Sequence, residues 1–232
     1  VKEALRSGPV AKILVARGVQ GDNVDDILSL AKEKKVQFIW VDRKKLDLLT
    51  SRGNHQGVAA YIAPLGYVDY RDLITKAVAA PLPGISLIFL DGIQDPHNLG
   101  SIIRSAVYFG VQGVVIPKWR SASLTGAVMR SSAGAAGYIG IAQVSNLATI
   151  LESAKDKGLW LIGADMEGND VKKADIPKPC ALVLGAEGMG LHRLVREKCD
   201  YLVGVKGFAK QSGVDSLNVG VATGILLHQL TN

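Results

Sequence analysis

From Ser86 onward the chain is written as short, nearly unbroken apolar runs separated by amphipathic stretches, and few folds accept that pattern. Ser86–Leu90 (SLIFL), Gly113–Ile116 (GVVI), Leu159–Gly163 (LWLIG), Ala181–Leu184 (ALVL) and Tyr201–Val205 (YLVGV) read as strands. A strand with one wet face alternates apolar and polar residues; these do not, so both faces must be covered. Helical patterns lie between several of them, at Asn98–Phe109, Leu124–Ser132 and Leu147–Lys157. A last helix carries its apolar stripe at Val219, Ala222, Leu226 and Leu230. The expected class is α/β, a mostly parallel sheet with helices packed on it.

The first quarter repeats the idea on a smaller scale. Lys12–Arg17, Val36–Val41 and Gly57–Ala63 read as strands, a helix opened by Asn23 runs into the basic Lys32–Lys35, and Lys44–Thr50 reads as a second helix. This unit, residues 1–64, closes before the turn signal Pro64-Leu65-Gly66. A short helical stretch around Tyr70–Ala80 and the run Ala80-Pro81-Leu82-Pro83-Gly84 make residues 65–85 the expected linker, with a second domain over 86–232. A length of 232 residues suits one large or two small domains with cores of their own.

Charge narrows the partners. The net charge of +6 and pI near 9.3 allow an anionic partner without demanding one. Residues 1–64 hold 11 Lys and Arg against 7 Asp and Glu, the densest excess in the chain. With 48% hydrophobic residues the chain is too apolar for disorder, and no apolar run is long enough to span a bilayer. Cys180 and Cys199 lack zinc spacing and read as two buried thiols in a reducing compartment. No metal and no membrane is expected. There is no signal-peptide pattern, so the expected compartment is the cytoplasm; an organelle stays open because the sequence begins at Val1 without Met.

Three polar segments are not needed by a generic α/β domain. The first, Asp91-Gly92-Ile93-Gln94-Asp95-Pro96-His97-Asn98-Leu99-Gly100-Ser101-Ile102-Ile103-Arg104-Ser105, carries a strand through a polar loop into a helix. Asn98 reads either as an N-cap or as a site residue, and Arg104, six residues on, does not share its helix face. The second, Leu184-Gly185-Ala186-Glu187-Gly188-Met189-Gly190-Leu191, is a glycine-rich turn after a strand; its G-x-x-G-x-G spacing matches neither the dinucleotide fingerprint nor the P-loop. The third, Gly213-Val214-Asp215-Ser216-Leu217-Asn218-Val219-Gly220-Val221-Ala222, opens the last helix, where Asp215 or Ser216 reads as a cap and Asn218 is oddly polar beside a buried stripe.

In this order the three segments resemble the SpoU (TrmH-like) RNA ribose 2′-O-methyltransferases. Asp95-Pro96-His97-Asn98-Leu99-Gly100…Arg104-Ser105 is similar to that family's first motif, Gly185-Ala186-Glu187-Gly188 to its second and Ser216-Leu217-Asn218-Val219 to its third. His55-Gln56-Gly57 resembles the junction in the branch that carries an extra RNA-binding domain like a small ribosomal protein, which includes the 23S rRNA guanosine 2′-O-methyltransferases. The resemblance implies a trefoil-knotted α/β domain, S-adenosylmethionine as cofactor and a homodimer through the knotted domain; a knot runs against the usual rule for chain connections.

By the same resemblance the catalytic set is Arg104, Asn98, Glu187, Ser216 and Asn218, and the cofactor would lie on Leu184, Gly185, Ala186, Gly188, Val205 and Leu217. The first domain would capture RNA through Lys12, Arg17, Arg43, Lys44, Lys45 and Arg52. One departure stands out: the family's usual Ile-Pro is Val205-Lys206 here, followed by a longer loop over 207–212 whose neighbourhood holds two extra lysines, Lys206 and Lys210. The expected reaction is methyl transfer to a ribose hydroxyl of large-subunit rRNA. A tRNA-modifying enzyme and a non-catalytic ribosome-assembly factor on the same fold are the alternatives; a nucleotide-dependent oxidoreductase lacks its fingerprint.

Overall fold

The computed structural model describes residues 1–8, 10–50, 53–81, 83–207 and 216–231. The chain divides into two compact units, Val1–Leu65 and Gly66–Asn232. In the first, the described elements are α1 (Lys2–Ser7), β1 (Val10–Ala16), α2 (Asp22–Glu33), β2 (Phe38–Val41), α3 (Arg43–Leu49) and β3 (Val58–Ile62). They form a three-stranded sheet of order β2-β1-β3, with β2 parallel and β3 antiparallel to the central β1. Residues of β1 alternate between two cores. Ile13 and Val15 pack with Leu5 of α1 and with Val24, Ile27 and Ala31 of α2, while Leu14 and Ala16 pack with Val41 and Leu46 on the α3 side. Leu46 is the one buried residue of α3.

The second unit contains α4 (Tyr70–Ala79), β4 (Ile85–Asp91), α5 (Pro96–Tyr108), β5 (Gly113–Pro117), α6 (Gly126–Ser131), β6 (Gly140–Val144), α7 (Leu147–Asp156), β7 (Trp160–Asp170), β8 (Cys180–Gly185), α8 (Arg193–Arg196), β9 (Tyr201–Gly204) and α9 (Val219–Thr231). Its six strands are parallel, in the order β6-β5-β4-β8-β7-β9. Every residue of β4 and of β8 is buried, as their unbroken apolar runs require.

The linker expected over 65–85 is corrected. Val68 pairs with Ala142, and α4 buries Leu73, Ile74 and Ala77 in the core of the second unit beside Leu87, Phe89 and Val115. The flanking prolines and glycines suggest a connector, but the apolar spacing of Leu73, Ile74 and Ala77 gives the helix a face that must be covered. Asp69 caps it, its side chain accepting the Arg71 N–H at 2.8 Å. The structure also adds α1, β6 and α8, which the sequence patterns do not single out.

Candidate active site

The strand order decides which loops meet. From β4 the chain moves outward through β5 to β6, then returns to the other side and places β8 against β4. Asp91 and Gly185, the last residues of those two strands, are partners in register, so the loops that follow leave the sheet side by side. This is the kind of switch point at which open parallel sheets bind ligands.

Asp95 caps the helix that follows the first loop: its Oδ1 accepts the His97 N–H at 2.9 Å, and Pro96 opens the first turn. Asn98 is therefore not the cap. It lies inside the first turn of α5 and is only 9% exposed, so its amide needs partners there.

Those partners come from the other two segments. The Asn98 Nδ2 donates to Glu187 Oε2 at 3.0 Å, and its Oδ1 accepts from Asn218 Nδ2 at 2.8 Å. Asn218 Oδ1 in turn accepts the N–H groups of Gly220 at 2.9 Å and Val221 at 3.4 Å, which makes Asn218 the cap of α9. Ser216 makes no such bond among the described residues, and Asp215 lies outside them. The direction of the chain of bonds is fixed at its start. Backbone N–H groups occupy the oxygen of Asn218, so its amino group must face Asn98; the Asn98 oxygen then faces Asn218 and its amino group faces the Glu187 carboxylate. Three segments far apart in sequence thus form one polar relay ending on a carboxylate.

The glycine turn beside the relay closes on itself. Ala186 and Gly190 exchange hydrogen bonds, N–H to O at 3.1 and 2.8 Å, and a Cβ on Gly185 would stand 2.1 Å from the Gly190 carbonyl carbon. Gly185 is thus required by a close backbone approach inside the turn. Leu184 and Gly185 are buried, Ala186 is half-buried, and Gly188 is exposed, with no heavy atom within 4 Å of the place a Cβ would take. Beneath the turn lies Asp91, a buried carboxylate given no role by the sequence. Its Oδ2 accepts the His192 N–H at 2.8 Å. Its Oδ1 is 3.0 Å from His192 Nδ1, which makes no hydrogen bond.

The remaining expected residues divide. Arg104 is exposed on α5, and among the described residues no carboxylate pairs with it, Glu187 included. Leu217 is 45% exposed next to Asn218, and Ser216 is exposed as well. Val205 is half-buried just beyond β9. The Lys206 ammonium donates to the Met166 carbonyl at 2.7 Å, so it is engaged by the protein backbone; Lys210 and most of the longer loop lie outside the described residues. A cleft of about 500 Å³ lies beside β9, lined by Asp170, Val171, Lys172, Val205, Lys206, Gly224, Ile225, His228 and Gln229. It shares Val205 with the expected cofactor set and none of Leu184 to Gly188. The hydrogen-bonded convergence of three segments is the better marker of chemistry, because a concavity alone supplies no oriented polar groups.

In the first unit, Arg17, Arg43, Lys44 and Lys45 are exposed and Lys12 is half-buried on β1; Arg52 lies outside the described residues. Arg17 N–H bonds to Val41 O at 2.9 Å, which brings Arg17 beside the β2–α3 corner that carries Arg43, Lys44 and Lys45. His55 closes its junction with both ring nitrogens: Nδ1 accepts the Gly57 N–H and Nε2 lies against Asp47 Oδ1, each at 2.9 Å. With Nδ1 accepting, Nε2 carries the proton.

In the middle of β7, Asp165 accepts from Arg196 Nε at 2.7 Å and from the Glu167 N–H at 2.8 Å. Burial pushes its carboxyl up, but those two hydrogen bonds, together with the charges of Arg196 and Lys206, outweigh burial and hold it below the usual carboxylate range. Burial, reinforced by the neighbouring Asp200, pushes the Cys199 thiol up to about 12, and burial likewise raises Cys180.

The comparisons with known proteins fall on this geometry. The model of the "SpoU rRNA Methylase family" matches residues 86–228, the span that holds the relay and the glycine turn. The chain belongs to the SpoU family. A second family model, "RNA 2'-O ribose methyltransferase substrate binding", matches residues 1–68. A Staphylococcus saprophyticus protein assigned to the TrmH family of tRNA/rRNA methyltransferases is 41% identical over 99% of this chain and 91% of its own length. This SpoU chain is therefore placed among RNA methyltransferases. Among solved structures, the SpoU methyltransferase AviRb from Streptomyces viridochromogenes, determined with AdoMet, superposes with a TM-score of 0.78 at 23% identity, covering 99% of this chain and 85% of that one. An AdoMet-bound rRNA methyltransferase from Sinorhizobium meliloti gives 0.79 at 22% identity, covering 99% and 84%. At such identity these two structures speak for the fold of this SpoU chain.

Proposed function

We propose that the chain transfers a methyl group from S-adenosylmethionine to a ribose 2′-hydroxyl of RNA, with a guanosine of large-subunit rRNA as the target. The single observation that carries this reading is the relay Asn218–Asn98–Glu187, which joins the three segments on which the family likeness rests. The rRNA assignment draws on the basic first unit, matched by a substrate-binding family model. The knotted threading of the second unit belongs to the same proposal.

The residues present fit the cofactor. Gly188 offers bare backbone with open space around it, while Met189 and Leu217 present exposed apolar side chains, and Glu187, which precedes Gly188, and Asn218, which follows Leu217, are tied together through Asn98. In this reading Leu184, Gly185, Ala186, Gly188, Val205 and Leu217 hold the adenosine and methionine parts. When bound, the cofactor supplies an electrophilic methyl on a sulfonium.

The protein's own residues supply alignment and charge. Holding the hydroxyl oxygen in line with the methyl contributes roughly 7–11 kcal/mol at best. Arg104 is exposed and unpaired among the described residues, so its guanidinium is available to a phosphate. It is permanently protonated, so it acts as a clamp and as a stabiliser of the developing alkoxide, with the proton leaving to the phosphate or to water. Asn98 and Asn218 brace the mouth of the site, Glu187 anchors the relay, and Ser216 positions the hydroxyl. In the same proposal a second copy docks through this knotted domain, as the family likeness implies.

Replacing Arg104 by Lys tests the role directly. RNA binding should persist while single-turnover methyl transfer falls by about a hundredfold, the scale of losing one preorganised charge donor. Near-normal single-turnover rates would overturn it.

A further inference from the structure

The segment that leaves β5, Lys118-Trp119-Arg120, has no part in the mechanism above, yet it is fixed beside the first motif's loop. Its entry is tied to the sheet, the Lys118 N–H donating to Val144 O at 2.8 Å. Its exit is tied to the loop after β4: the Ala122 N–H donates to Ile93 O at 2.8 Å, and Ser121 Oγ donates to the same carbonyl at 3.4 Å. A Cβ on Gly92 would stand 3.9 Å from the Arg120 carbonyl oxygen, so the segment touches the loop that leads into Asn98.

Between those ties the side chains face solvent. Trp119 is 68% exposed, and the Lys118 ammonium lies 5.3 Å from its ring centroid. Arg120 is exposed and held at φ +56°, a left-handed conformation that a long side chain adopts only when its surroundings impose it. No carboxylate pairs with Lys118 or Arg120 among the described residues. A large exposed aromatic between two cations that no carboxylate pairs among the described residues, on a segment pinned at both ends, is the chemistry of a platform for unpaired nucleotides. A protein-binding hot spot would need an apolar surround that excludes water, whereas Ser123 and Thr125 are exposed and polar.

We propose that Trp119 stacks on an unpaired RNA base next to the target nucleotide, with Lys118 and Arg120 holding the phosphates on either side of it. This rests on the reading of the chain as an RNA methyltransferase and adds a substrate requirement: the nucleotides around the target must be single-stranded or splayed when the methyl group is transferred.

The chain has three tryptophans, so this chain carrying Trp40→Phe and Trp160→Phe reports on Trp119 alone. Titration with single-stranded oligouridylate should quench its emission saturably, and an RNA duplex of the same length should quench it far less. In the natural sequence, Trp119→Ala should weaken oligouridylate binding and raise the KM for rRNA by about 5- to 100-fold, with Trp119→Phe within about threefold of the unchanged protein. Affinity for S-adenosylmethionine, measured by calorimetry, should not move. Binding without quenching, an unchanged KM in Trp119→Ala, or blue-shifted emission in the free protein showing Trp119 already covered by a second copy would each overturn the platform and leave methyl transfer standing. Absence of both RNA binding and methyl transfer would overturn the underlying reading and the platform with it.

Discussion

Asn218 donates a hydrogen bond to Asn98 across 120 residues of chain, Nδ2 to Oδ1 at 2.8 Å, while its own oxygen caps the last helix. One side chain thus couples the end of the fold to the mouth of the site. The coupling separates experimentally, because the two halves of the amide do different jobs.

Asn218→Asp keeps the oxygen that caps α9 but replaces the donor facing Asn98 by a second acceptor. It should lose less stability than Asn218→Ala, which removes the cap and costs about 1–3 kcal/mol in urea unfolding. Methyl transfer in Asn218→Asp should nonetheless fall by about tenfold or more, the equivalent of one lost hydrogen bond in the relay. Full turnover in that variant would show the relay to be architectural only.

Gly100 and Gly220 lie in α5 and α9 where alanine is ordinarily the better helix former. Here a Cβ on Gly100 would stand 1.9 Å from Ser131 Oγ and 2.8 Å from the Ser132 nitrogen, and one on Gly220 would stand 2.5 Å from Ser101 Oγ. Either Gly→Ala change should therefore destabilise by about 1–3 kcal/mol through overpacking. Chemical denaturation decides; a neutral or stabilised Gly100→Ala would mean that α5 and α6 separate readily.

The two thiols should be poor nucleophiles. Cys199 is pushed up to about 12 by burial and Asp200, and burial raises Cys180, so neither forms thiolate near neutral pH. Iodoacetamide should label both only after denaturation, read by intact mass; rapid labelling of the folded chain would contradict this.

Asp165 carries a pH signature. Its carboxyl is held below the usual range in the folded chain, so its contribution is present above the unfolded carboxylate value, about 3.9, and is lost as pH falls through the folded one. Melting temperature followed down through the acid range should drop less steeply in Asp165→Asn than in the unchanged chain. Parallel curves would remove Asp165 from the acid response.

Most strands of the second unit are legible in the sequence because they are apolar on both faces, as Phe89 and Val183 illustrate; β6, with Gln143 half-buried within it, is not. The linker expectation fails because prolines and glycines flank α4, and local punctuation hides a helix whose apolar residues meet the sheet. Asn98 is ambiguous between cap and site because both roles use the same residue type; Asp95 settles it by taking the cap. The meeting of Asn98, Glu187 and Asn218 is beyond periodicity altogether. It follows from β8 pairing with β4, a crossover that hydrophobic spacing does not encode, and only the family resemblance anticipates it. Trp119 gives no signal at all, since an exposed tryptophan in a turn looks like any other until its tethers are seen.

The most direct test of the account is the chemical position of the transferred methyl. The purified protein would be incubated with rRNA and methyl-labelled S-adenosylmethionine, and the RNA then hydrolysed in alkali. A 2′-O-methyl group blocks attack of that hydroxyl on its own phosphate, so the account predicts label in alkali-stable dinucleotides, lost in Arg104→Ala. Label released in mononucleotides, marking a methylated base, or no transfer at all, would contradict it.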